Sequence, residues 1–102
     1  MAFISVYITH ENEDKAKIVV NHLLEQKIIA CANLYPISSM YWWQGAIQKE
    51  AEWVSLVKTT VELWERLKLE VERVHPYEVP CIMKTVVEAN GAYEEWIRGA
   101  VG

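Results

Sequence analysis

The chain has 102 residues, 52% hydrophobic and 24% charged, with a formal net charge of −4. That length supports one core and no second one, so a single domain over residues 1–102 is expected. The acidic balance, with no basic cluster against it, excludes a nucleic-acid binder, and no apolar run approaches the roughly 20 residues that span a bilayer.

Five Trp and five Tyr give this short chain more aromatic surface than one small core readily hides. The surplus points to a subunit interface or a ligand cleft. Cys31 and Cys81 lie far apart in apolar surroundings, which fits two buried free thiols in a reducing compartment. No basic stretch of the secretory type precedes the first apolar run, so the expected location is the cytoplasm.

Phe3-Ile4-Ser5-Val6-Tyr7-Ile8-Thr9 is β-branched and aromatic and predicts a buried strand. Asn12 then fits a helix N-cap, with Glu13 and Asp14 where the helix dipole favours negative charge. Ala16, Val19, Val20, Leu23 and Leu24 recur at helical spacing, which predicts a helix over residues 13–27.

Residues 30–60 read as a long two-stranded ribbon. Its turn is Gln44-Gly45, a weaker form of the Asn-Gly signal, in which Gly45 supplies the positive φ that Gln44 tolerates less readily. Pro36 interrupts the first arm and marks it as an edge strand or a bulge. Such a ribbon is not stable alone and needs a sheet, covering helices or another copy of itself.

Thr59 and Glu62 have capping-box spacing, and behind them Leu63, Trp64, Leu67, Val71 and Val74 form a helical stripe ending before His75-Pro76. Pro76 and Pro80 bracket a rigid extended loop. Residues 82–88 predict a further strand, and Asn90 caps a short last helix with Tyr93, Trp96 and Ile97 on its apolar side. The order is βαββαβ plus a terminal helix. That pattern predicts an α+β, ferredoxin-like split βαβ sandwich with both main helices on one face of a four-stranded antiparallel sheet and the other face open.

Ala30-Cys31-Ala32-Asn33, Tyr41-Trp42-Trp43-Gln44-Gly45, Lys58-Thr59 and His75-Pro76-Tyr77-Glu78-Val79-Pro80, with the closing Tyr93 and Trp96, resemble the CutA family of divalent-cation-tolerance proteins. The resemblance covers nearly the whole chain in order and spacing. It implies a homotrimer whose long hairpins pair between subunits, similar to signalling proteins of the PII type, and a role with copper and other divalent cations. The metal ligands associated with the family are a Cys late in the first strand and a His-His pair before Pro-Tyr. Here those positions hold Ile8, Val74 and His75, so His75 alone matches, with Glu78 the nearest carboxylate. The expectation is weak binding of a divalent cation such as copper or zinc, no required cofactor, and Cys31 too buried to help.

Four more groups stand out as candidates. Tyr41, Trp42, Trp43 and Trp53 are expected at the trimer interface, as aromatic anchors. Glu50, Glu52 and Lys58 share one face of the outgoing arm by period two, where they either line a cleft between subunits with Tyr77 or pair across the ribbon. Tyr77 and Glu78, held between prolines, are placed to meet a ligand or a neighbouring subunit. His10 and His22 read as surface residues. No Ser-His-Asp order, HExxH, P-loop or GxGxxG appears, so no enzyme is expected. Two other roles compatible with such a trimer are a PII-like sensor of a small molecule and an anchor for an unidentified protein partner.

Overall fold

The computed structural model describes residues 2–102; Met1 lies outside them. In chain order the elements are β1 (Phe3–His10), α1 (Glu13–Glu25), β2 (Cys31–Trp43), β3 (Ala46–Thr59), a 3-10 turn (Val61–Leu63) running into α2 (Trp64–Val74), β4 (Ile82–Val87) and α3 (Gly91–Ala100). The four strands form one antiparallel sheet in the order β2-β3-β1-β4. The α+β fold is the one that the alternation of periods predicts.

Strand alternation sorts the sheet into two faces. Ile4, Val6 and Ile8 of β1 and Val57 of β3 point to one face, where Val19, Val20 and Leu23 of α1 and Leu67 and Val71 of α2 cover them. This is the core, and its central side chains are fully buried. The stripe on α1 stops short of Leu24, which is 40% exposed. Asn12 caps α1 as expected, its side chain accepting from the Lys15 amide at 2.9 Å.

The capping box at Thr59 does not form. Thr59 still belongs to β3, and its buried hydroxyl donates instead to the Ile28 carbonyl at 2.6 Å. A buried hydroxyl must find a partner, and that carbonyl is the one within reach.

The opposite face is less open than the sequence predicts. Phe3 and Cys31 point to it, and α3 folds back over that end. The Tyr93 ring meets Phe3 edge-on at 5.8 Å, and the Tyr93 hydroxyl lies 3.4 Å from Cys31 Sγ. Ile97 anchors α3 as a fully buried residue. Cys31 is thus half-buried and not sealed in the core.

The hairpin is longer than the sheet it belongs to. β3 pairs with β1 only from Trp53 to Thr59, whereas its pairing with β2 continues from Ile37↔Glu52 to Trp43↔Ala46. At ~3.3 Å per residue the overhang projects roughly 20 Å beyond the sheet, and the molecule measures 45 × 23 × 22 Å. At the tip Gln44 (φ 49) and Gly45 (φ 80) are both left-handed, the pattern of a two-residue type I′ turn. Pro36 sits in β2, an edge strand, where its missing amide costs no ladder bond.

Candidate functional site

Where the overhang leaves the sheet, the loop after α2 closes over it. The first tie is His75, the residue that ends α2. Its Nε2–H donates to the Thr9 carbonyl at 2.7 Å, and its Nδ1 accepts from the Tyr77 amide at 3.1 Å. These two bonds fix the neutral tautomer and turn the chain toward the far side of the sheet. His75 is 7% exposed and has neither ring nitrogen left for a metal.

His10 lies against it, the two rings stacked at 5.2 Å. His10 is buried, contrary to its expected surface position. Being at the end of β1, it shares the face of Ile4, Val6 and Ile8 and bonds Ser55 Oγ through Nε2 at 2.8 Å. Its Nδ1 has no hydrogen-bond partner among the described residues. Burial, with the neighbouring His75 adding to it, lowers the His10 pKa from 6.5 to about 4. His22 is half-exposed and bonds Glu70 Oε1 at 2.6 Å. Arg73, and after it His22, pull the Glu70 carboxyl down to about 2.

The second tie is Tyr77. Its ring packs edge-on to His75 at 4.6 Å, and its hydroxyl donates to Glu52 Oε2 at 2.6 Å. Glu52 is only 6% exposed. The loop therefore grips the root of the chain's own hairpin and roofs a half-open cleft of about 940 Å³. Tyr7 and Cys81 form its floor, Glu50 and Tyr41 the hairpin wall, and Tyr77 and Glu78 the opposite rim. Tyr41 donates to Glu50 Oε2 at 3.0 Å.

Glu50, Glu52 and Tyr77 thus line one cleft within a single chain, where the expectation was a cleft between subunits. Lys58 does not join them. It shares the face of Glu50 and Glu52 but stands opposite Cys31, at the far end of β3, and donates to Asn33 Oδ1. The aromatic candidates separate as well: Trp42 at the overhang is 72% exposed, while Trp53, paired with His10 and Pro36 at the root, is half-buried. Among the described residues no three His, Cys, Asp or Glu side chains converge as metal ligands. Tyr7, Thr9 and Cys81 lie outside the expected cleft set, Cys81 being expected only as a buried thiol. Their only signal is strand parity, which places Tyr7 and Thr9 beside the Glu52 face once β1 is paired with β3.

The family model described as CutA1 divalent ion tolerance protein matches residues 4–100. The chain belongs to the CutA family. A curated relative, the divalent-cation tolerance protein CutA of Thermotoga maritima, is 42% identical over 99 residues, covering 96% of this chain and 98% of that protein. The crystal structure of CutA1 from Pyrococcus horikoshii superposes with a TM-score of 0.94 at 38% identity, covering 97% of this chain and 98% of the other. That of CutA1 from Oryza sativa gives 0.95 at 32% identity, covering 100% and 95%. CutA proteins named for the chloroplast or the periplasm also match. Among the described residues of this member, no helix is long and apolar enough to cross a membrane.

Proposed function

We propose that this CutA protein is a single-domain homotrimer that acts in tolerance of divalent cations, copper among them, in the cytoplasm and without catalysing a reaction. One observation carries the assembly. The overhanging hairpin exposes Trp42, Met40 and Ile47 at 72%, 69% and 56%, and among the described residues no strand lies beside its outer edge. An unpaired apolar edge is a liability, and closing three of them around an axis removes it. Obligate interfaces bury about 2,000 Å² or more, and this overhang is the apolar surface best suited to supply that area. The names of its relatives support the cation role. Metal binding is weak, drawn by Glu50, Glu52 and Glu78 and completed by groups of an adjacent subunit, because His75 is committed to Thr9 and Tyr77.

Native mass spectrometry with and without copper or zinc tests both parts. A trimer with partial, readily lost metal occupancy is expected. Trp42→Ala with Trp43→Ala should release monomer or insoluble chain. A stable trimer of unchanged melting temperature in that variant takes the assembly role away from the hairpin. A nanomolar copper site that persists when Glu50, Glu52 and Glu78 are changed to Gln means that the ligands lie elsewhere.

A second reading, a PII-like sensor of a small molecule, is favoured by the cleft, whose volume of about 940 Å³ suits a compact ligand.

A further inference from the structure

The cleft has a definite charge. Its walls carry four carboxylates, Glu11, Glu50, Glu52 and Glu78, and no lysine, arginine or histidine. Glu52 is the decisive one. It is more than nine-tenths buried, and its hydrogen bond comes from a neutral donor, the Tyr77 hydroxyl. Among the described residues no cationic side chain forms an ion pair with it. A carboxylate removed from water is costly unless hydrogen bonds or an opposite charge replace its hydration. Its neighbours register the same field. Tyr7, Tyr77 and Cys81 all titrate above their ordinary ranges, through burial first, with the Glu52 charge adding to it.

We propose that this cleft binds an organic ammonium ion, with Glu52 as the counter-charge, Glu50 as a second anionic contact and the rings of Tyr77, Tyr41 and Trp43 as walls. Two competing ligand classes fit less well. An anion, a nucleotide phosphate included, would face four carboxylates without one cation to offset them. A metal ion needs donors converging at about 2.0–2.6 Å, and the carboxylates here are spread around the cleft with no such cluster among the described residues. An ammonium head tolerates that spread. Carboxylates hold it at about 2.7–2.9 Å, and aromatic faces attract it within about 6 Å of the ring centre. The inference rests on the reading of this cleft as the functional site, and because Met40, Trp42 and Trp43 line it on the hairpin assigned to assembly, it is tested in the assembled protein.

Calorimetry on the intact protein at neutral pH tests it, with putrescine and tetramethylammonium as probes and succinate as an anion of similar length to putrescine. Saturable binding of at least one cation, one per chain and weakened by added salt, is expected, with no heat from succinate. Glu52→Gln should weaken it roughly tenfold, the loss expected for one charged hydrogen-bond partner. Glu50→Gln, on an exposed residue whose loss leaves the fold intact, should weaken it by roughly threefold. The proposal falls if neither cation saturates, if succinate binds as well, or if both variants retain full affinity. Copper or zinc binding here while the amines do not would keep the metal reading and overturn this one. Amine binding by a protein that sediments as monomer would keep this proposal and overturn the trimer.

Discussion

β3 is one continuous strand with two different fates. From Trp53 to Lys58 it has a partner on each side, and Val57, Ser55 and Thr59 are buried beneath the helices. From Ala46 to Glu52 it has β2 alone, and nearly every side chain is exposed except Glu52. The first half is stabilised by its own chain. The second half is formed by cross-strand pairing and a tight turn but has nothing to cover it. Core burial and exposed apolar surface are thereby divided along one strand, and the cleft sits at the boundary, where the loop of His75 and Tyr77 meets Glu52.

That division can be tested by perturbing one half and reading the other. The largest effect should come from the core. Leu67→Ala removes a fully buried side chain, and a loss of about 3 kcal/mol is expected in urea denaturation. The double variant Trp42→Ala, Trp43→Ala should leave far-ultraviolet circular dichroism nearly unchanged while altering assembly. Were the core variant to disrupt assembly without destabilising the chain, the two halves would not be independent.

His10 gives the next effect. Its folded pKa, about 4, lies below its ordinary 6.5, so below pH 6.5 the unfolded chain binds a proton that the native state refuses. Stability should be complete above pH 6.5 and fall progressively to pH 4, by up to about 3 kcal/mol before solvent screening reduces it. His10→Leu should lower stability at neutral pH, because Ser55 loses its partner, but flatten the profile in that window. The Glu70 carboxyl, held near 2, contributes in a separate window below pH 4.5. A slope that persists between 4 and 6.5 in the variant would assign it to another group.

At the boundary, Tyr77→Phe removes one hydroxyl and leaves Glu52 buried without that bond. A loss of about 1–2 kcal/mol is expected in thermal unfolding. Glu52→Gln combined with Tyr77→Phe should cost less than the sum of the two changes. The smallest effect belongs to the tip. Gln44 holds a positive φ of 49, and Gln44→Asn should stabilise the hairpin by about 0.5 kcal/mol, since Asn tolerates that conformation better.

The candidate site was only partly legible in the residue order. Proline brackets mark the Tyr77-Glu78 loop, and period two places Glu50 with Glu52, so both rims could be found. Lys58 followed from the same period but sits at the far end of β3, because parity fixes a face and not a position along it. His10 was misjudged for a related reason. A polar residue after a buried strand reads as solvent-facing, and its burial depends on the His75 ring that stacks on it.

The sequence by itself determined the element order, the helix-facing core and the tight turn at Gln44-Gly45. Those follow from periodicity and local backbone preference, which act over a few residues. Only the tertiary structure decided that α3 covers one end of the far face, that Thr59 bonds Ile28 in place of capping a helix, and that Tyr77 reaches Glu52 across 25 residues of chain. Each of these depends on which strands are neighbours and in what register. A one-residue slip of β3 would reverse every face, turning Glu52 toward the core and dissolving the cleft.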